Sequence, residues 1–87
     1  MTVDSDVTQR IRRVVRSHAH LPVDVDALDD VTDLFQAGMT SHASVNVMLG
    51  LEAKFDIEFP DEMLKRSVFQ SVSAIRAAVS RLGVAAT

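Results

Sequence analysis

The chain has 87 residues, a net charge of −3, and 47% hydrophobic against 24% charged residues, a composition typical of a folded domain and not of a disordered chain. It has no cysteine, which excludes a disulfide, a thiolate metal site and a cysteine nucleophile, while the acidic balance argues against a nucleic-acid partner. Since no apolar run approaches the roughly 20 residues of a membrane span, we expect a cytoplasmic protein without a membrane partner. We expect one domain over residues 1–87, ordered from about residue 5 to residue 83.

The first predicted element is an amphipathic helix near the N-terminus. Its N-cap is expected among Asp4, Ser5 and Asp6, and Pro22 ends it, because the residue before a proline avoids the α region. Arginines crowd the same stretch; the simplest interpretation is a solvated helix face, with a docking patch as the alternative. The apolar stripe, at intervals of three and four residues, is Val7, Ile11, Val14, His18 and Leu21.

A connection of close to twenty residues follows, from Leu21 to Thr40. Links of that length between bundle helices are unusual and tend to be functional. We expect this one to pack onto the core through Val25, Leu28, Leu34 and Phe35. It ends in a glycine turn that delivers Ser41 to a helix start.

The second helix is predicted over Ser41–Phe55 and has two apolar stripes. The first stripe, suited to the core, is Val47, Met48, Leu51 and Phe55. The second stripe lies on the far side of the helix and is either buried in its turn or exposed for contacts; we favour a contact surface. It comprises Val45 and Leu49, joined by His42 and Ala53.

Two further helices complete an all-α, four-helix bundle. A short third helix begins at Asp61-Glu62, directly after Pro60, and includes Met63 and Leu64. The fourth begins near Ser71, faces inward through Val72, Ile75, Val79 and Leu82, and stops at Gly83. The alternating segment 55–59 is interpreted as an extended connector rather than a strand.

Ser41 has two interpretations from its position alone. A serine at a helix start usually caps the helix, and Thr40 or Ser44 could do the same. The same end of a helix also favours a phosphoester electrostatically. Catalysis by a Ser41–His42 pair is disfavoured because adjacent helical residues do not face each other, and the three histidines lack metal-ligand spacing, so we expect no catalytic or metal site.

The stretch Asp33-Leu34-Phe35-Gln36-Ala37-Gly38-Met39-Thr40-Ser41-His42-Ala43-Ser44-Val45 resembles the attachment region of acyl and peptidyl carrier proteins. The spacing from Ser41 to Leu51-Glu52 and Phe55 matches that family without a gap. The resemblance implies a non-enzymatic carrier of the acyl-carrier fold. It also implies that a phosphopantetheinyl transferase attaches phosphopantetheine, taken from coenzyme A, to Ser41.

The chain departs from many fatty-acid carriers, which have Asp-Ser-Leu where it has Thr40-Ser41-His42. It looks most similar to stand-alone aminoacyl carrier proteins in two segments, Gly38-Met39-Thr40-Ser41-His42-Ala43-Ser44-Val45 and, downstream, Phe59-Pro60-Asp61-Glu62-Met63-Leu64-Lys65-Arg66-Ser67. That resemblance implies loading with glycine or alanine by a ligase homologous to seryl-tRNA synthetases, and delivery to an unknown acceptor. We expect a monomer whose partner surface comprises Met39, Thr40, His42, Val45 and Leu49. The alternatives are a carrier of a polyketide, fatty acyl or D-alanyl group, an unmodified helical interaction module and, last, a small hydrolase.

Overall fold

The computed structural model describes the backbone of residues 3–82 and the side chains from Asp6 onward. This part of the chain contains three α-helices and no strand: α1 is Val3–His18, α2 is Ser41–Phe55 and α3 is Val72–Arg81. Short 3-10 turns lie at Val25–Ala27, Asp61–Met63 and Arg66–Val68. None of these helices combines the length and the apolar character needed to cross a membrane. The all-α fold is confirmed, but two 3-10 turns stand where a short third helix was predicted.

The first helix is shifted toward the N-terminus relative to its prediction. It begins at Val3, so Asp4–Asp6 lie in its first turn and not at its cap. It ends at His18, and His20 then adopts a left-handed backbone with φ 52°, so Leu21 lies beyond the helix although it packs against the core. The predicted stop of the last helix at Gly83, like the tail beyond it, lies outside the described residues.

The core is formed where α1 packs against both α2 and α3. The predicted inward faces of the helices are confirmed at Val47, Leu51, Val72, Ile75 and Val79, while Met48, Phe55 and Leu82 are half-buried at the edge. The long first loop packs down as expected, with its anchors Val25 and Leu34 fully inside. The largest fully buried side chains are Ile11, Leu34, Leu51, Ile75, Val15, Val47, Val72 and Val79.

One of the clustered arginines is buried, contrary to the expected solvated face. The Arg12 guanidinium donates to the Val25 carbonyl at 2.7 Å and to Asp30 Oδ1 at 2.5 Å. The other end of the loop is tied to the start of α3, where Leu34 N donates to the Gln70 carbonyl and Ser73 N to the Asp30 carbonyl. A charge in the core is tolerated here because it is paired and hydrogen-bonded. The loop therefore has a fixed path between α1 and α3.

The segment after α2 is an extended connector, as predicted. Asp56 ends the helix with a left-handed backbone, φ 54°, and the Glu52 side chain then accepts a hydrogen bond from Phe59 N at 2.9 Å. The Phe59 ring packs edge-on against Phe69, with 5.3 Å between the ring centroids. The connector thereby brings the two 3-10 turns of residues 61–68 back beside α2.

Candidate functional site

Ser41 is the first residue of α2, and its neighbour caps the helix. Thr40 has an extended backbone, and its Oγ1 accepts a hydrogen bond from Ala43 N at 3.0 Å. Thr40 is therefore the N-cap, and the interpretation of Ser41 as the capping residue is wrong, because Ser41 is already the first helical residue of α2. Its side chain is exposed, and its hydroxyl makes no hydrogen bond within the described residues. The structure leaves this oxygen available for chemistry.

Gly38 and Met39 fix the conformation of the turn before Ser41. Gly38 has φ 121°, a conformation that side-chain-bearing residues rarely adopt, and a Cβ on it would lie 2.9 Å from Pro22 Cδ. Met39 follows with its backbone N donating to the Leu34 carbonyl at 3.0 Å. Its side chain is only 3% exposed and belongs to the core. Ser41 therefore follows a segment that is packed into the core and hydrogen-bonded to the first loop.

A mostly apolar groove of about 340 Å³ lies beside Ser41. The Arg66 guanidinium stacks over the Phe35 ring at this groove, 4.1 Å from the ring centroid. Sequence patterns did not identify the residues from the second 3-10 turn, because their approach to α2 depends on how the connector folds back. The lining residues are Phe35, Ser41, Ser44, Val45, Met48, Leu64, Lys65, Arg66 and Phe69.

The second stripe of α2 is exposed, as favoured from its spacing. Val45 is 49% and Leu49 52% exposed, and His42 and Ala53 are also at the surface. Thr40 is exposed, although its hydroxyl is engaged in the helix cap. The expectation that Met39 belongs to the partner surface is wrong, because its side chain is buried in the core and cannot contact a partner. The apolar residue before the helix serves packing rather than recognition.

The carboxylate of Asp33 organises the turn that leads toward this site. Its Oδ1 accepts hydrogen bonds from Phe35 N at 2.9 Å and Gln36 N at 3.2 Å, and its Oδ2 accepts one from Gln70 Nε2 at 3.0 Å. Desolvation alone would raise the pKa of Asp33, but these hydrogen bonds and the nearby Arg66 charge outweigh it and lower the pKa below its ordinary value. Among the residues that the structure describes, no three His, Cys, Asp or Glu side chains converge as a metal site.

Sequence comparison places these features in a known family. A family model described as the phosphopantetheine attachment site matches residues 9–79. An aminoacyl carrier protein of Agrobacterium fabrum is 49% identical over 65 residues, which cover 75% of this chain and 78% of the relative. Aminoacyl carrier protein 1 of Bradyrhizobium diazoefficiens is 32% identical over 72 residues, covering 83% of this chain and 80% of that protein.

Structural comparison agrees with the sequence matches. One neighbour is a chain in the crystal structure of an engineered Bradyrhizobium japonicum glycine:carrier protein ligase complexed with a carrier protein from Agrobacterium tumefaciens and AMP, with a TM-score of 0.82 and 45% identity. The match covers 84% of this chain and 97% of the other, so the matched chain is the small carrier protein and not the ligase. With the family model spanning most of its length, this chain belongs to the phosphopantetheine-attachment family of carrier proteins, whose members hold a group rather than catalyse a reaction.

Proposed function

We propose that Ser41 is the attachment point for phosphopantetheine and that the chain thereby holds an aminoacyl group, from glycine or alanine, as a thioester. The observation that supports this most directly is the exposed Ser41 hydroxyl, which makes no hydrogen bond to any of the described residues because Thr40 caps α2 in its place. Bound phosphopantetheine supplies a thiol, a group that this cysteine-free chain lacks.

The surroundings of Ser41 fit a phosphodiester and a pantetheine chain. The N-terminal end of the 15-residue helix α2 favours a negative charge. Lys65 and Arg66 add positive charge to the groove beside the serine, and the rest of its lining is largely apolar. Negative phosphate and an arm with apolar and amide segments therefore both meet compatible groups on this side of α2.

The exposed stripe of α2 is proposed as the surface for the transferase and the ligase. His42, Val45 and Leu49 are spaced three and four residues apart, and Val45 lies four residues after Ser41, so a partner that binds this stripe would have the modified serine at the edge of its footprint. Thr40 lies at the edge of that footprint. A few large exposed apolar residues suit a small interface that forms and dissociates at every step.

The cargo and the loading enzyme are inferred from the relatives. Two of them are aminoacyl carrier proteins by name, and the solved neighbour is a carrier protein in complex with a glycine:carrier protein ligase. We propose that a ligase of that type, homologous to seryl-tRNA synthetases, loads this chain. Its amino acid would be selected in the ligase, which forms the bond to the amino acid before transfer.

The attachment site is tested by intact mass. The unmodified protein is incubated with coenzyme A and a broad-specificity phosphopantetheinyl transferase. Wild type and Ser44→Ala should each gain one phosphopantetheinyl group, whereas Ser41→Ala should gain none. An unchanged mass for wild type would overturn the carrier proposal and favour an unmodified interaction module; a modified Ser41→Ala variant would move the site.

The cargo is tested on the modified protein. With a glycine:carrier protein ligase, ATP and glycine or alanine, it should form an adduct that hydroxylamine removes, as expected of a thioester. Val45→Glu should slow this loading without lowering the helical circular dichroism signal, because Val45 is on the surface. Loading by acyl-transferring enzymes with fatty acyl or polyketide groups alone would overturn the aminoacyl assignment.

A further inference from the structure

A second groove lies on the opposite side of the exposed α2 stripe, between α2 and α1. It is open and has a volume of about 640 Å³. It shares Leu49 and Ala53 with the exposed stripe but contains neither Ser41 nor any other residue of the first groove. Its lining residues are Arg13, Val14, Ser17, His18, Asn46, Leu49, Gly50, Ala53 and Lys54.

The charge of this groove is opposite to that of the whole chain. Arg13 and Lys54 are both exposed and stand on its two helices, and no aspartate or glutamate is among the lining residues. Neither cation forms an ion pair within the described part of the chain, unlike Arg10, which pairs with Asp6, and Arg16, which pairs with Asp26. Although the net charge is −3, this face is positive.

At the floor of the groove, a glycine in α2 allows close contact with α1. A Cβ at Gly50 would lie 2.6 Å from His18 Cδ2 and 2.9 Å from Val14 Cγ1, so any side chain there would displace α1 groups. Leu49 and Ala53 border this close contact and remain exposed. The α2 residues of the groove, 46 to 54, extend over about 12 Å at the helical rise of 1.5 Å per residue.

We propose that this groove binds an acidic amphipathic helix of a partner protein. Apolar side chains of that helix would cover Leu49 and Ala53, and its carboxylates would pair with Arg13 and Lys54. Helices that bind in grooves present apolar residues at intervals of three and four, and a groove of this length accommodates about two turns. The absence of acidic lining residues also disfavours a basic partner, which gives the surface its selectivity.

This interaction goes beyond the proposed carrier function and requires no modification of Ser41. It is tested on the unmodified chain, labelled with ¹⁵N and titrated with a synthetic helical peptide of leucine at helical spacing and glutamate elsewhere. We expect amide shifts at Ser17, Asn46, Gly50 and Lys54 that weaken as salt is added. The same peptide with lysine in place of glutamate should leave these amides unshifted.

Charge reversal identifies the residues responsible. The double variant Arg13→Glu/Lys54→Glu should bind the glutamate peptide about tenfold more weakly or worse. Arg81→Glu, an exposed cation outside the groove, should bind like wild type. The proposal would be overturned if no amide shifted, if both peptides bound equally well, or if the amide shifts were confined to the groove beside Ser41. A Ser41→Ala variant that still binds the peptide separates this result from the carrier function.

Discussion

At the scale of single residues, the two hydroxyls at the start of α2 have different tasks. Thr40 caps the helix through Ala43 N, whereas the Ser41 hydroxyl is free of protein hydrogen bonds within the described residues. We expect Thr40→Ala to lower the free energy of unfolding by about 1 kcal/mol, the usual contribution of an N-cap. Ser41→Ala should change it by less than about 0.5 kcal/mol, as at other exposed positions.

Urea unfolding followed by circular dichroism measures this difference, with Thr40→Ser as the matched control that keeps a hydroxyl at the cap. A loss at Ser41→Ala as large as that at Thr40→Ala would contradict the division of roles.

The identity of the capping residue could not be obtained from the sequence. Thr40, Ser41 and Ser44 all carry hydroxyls near the predicted helix start, and each is a reasonable cap by type. The choice depends on a backbone register that is set by Gly38, with its positive φ, and by the burial of Met39. Both depend on tertiary packing, which explains why the start of α2 was predicted correctly while the residue that caps it was left open between three hydroxyls.

Gly38 is itself a sensitive residue. Gly38→Ala combines an unfavourable φ of 121° with a Cβ placed 2.9 Å from the Pro22 ring. We expect a loss of about 1–3 kcal/mol in the free energy of unfolding, the range for a non-glycine residue in such a backbone conformation. The double variant Gly38→Ala/Pro22→Ala removes the steric part, so it should recover part of the loss. Equal stability of Gly38→Ala and wild type in urea would show that the turn is adaptable.

At the scale of elements, the long first loop is held by one buried arginine. Arg12 pairs with Asp30 and also donates to the Val25 carbonyl, and its side chain is only 11% exposed. Arg16 reaches the same loop at Asp26, but both partners there are more than half exposed. Arg12→Ala would remove the ion pair with Asp30 and one of the two hydrogen bonds that the Val25 carbonyl accepts, the other coming from Leu28 N. Because both lost contacts are made by a charged donor, we expect a loss of about 1.5–3 kcal/mol in the free energy of unfolding, with the half-exposed Asp30 contributing the smaller part.

Arg16→Ala is the matched control, because exposed ion pairs contribute about 0–1 kcal/mol. Thermal and urea unfolding of the two variants should rank them clearly, and similar losses for both would show that Arg12 does not anchor the loop. Arg12→Lys should be intermediate, since an ammonium group lacks the planar fork of donors.

The elements were predictable to different degrees. The bounds of α2 agree with the expectation from Ser41 to Phe55, because a cap at one end and a helix-ending turn at the other both leave local signals. The two 3-10 turns after Pro60 leave no periodic signal, being three residues each. The role of Arg12 was missed because helical patterns assign every arginine to the solvent side, and only the loop's path supplies the carbonyl that makes its burial favourable.

At the scale of the whole molecule, α2 separates two grooves of different character. One lies beside Ser41 and is formed with the loop and the second 3-10 turn, and the other is formed with α1. Between them runs the exposed stripe of Val45 and Leu49. The proposed carrier function needs one face for the arm and another for proteins that act on the arm, and a single helix that borders both grooves would provide both faces. The missing cysteine fits this arrangement, because the thiol would be displayed on the arm and not in the core.

Asp33 links the first loop to the residues just before α3, and this link makes the free energy of unfolding depend on pH. Its carboxylate joins the loop turn to Gln70, just before α3, and the pKa of Asp33 in the folded chain lies below its ordinary value. A lowered folded-state pKa means that the charged form stabilises the fold. This contribution is therefore complete above the ordinary pKa of an aspartate and is lost as the pH falls through the lower pKa that Asp33 has in the folded chain.

The consequence can be measured by urea unfolding over a series of pH values from neutral to acid. Asp33→Asn should be less stable than wild type near neutral pH, and its stability should fall less steeply on acidification, so that the two curves converge in acid. Glu58→Gln, an exposed carboxylate without a hydrogen bond in the described structure, is the matched control and should keep the acid dependence of wild type. If Asp33→Asn instead retained the full acid dependence, other carboxylates would be responsible for it.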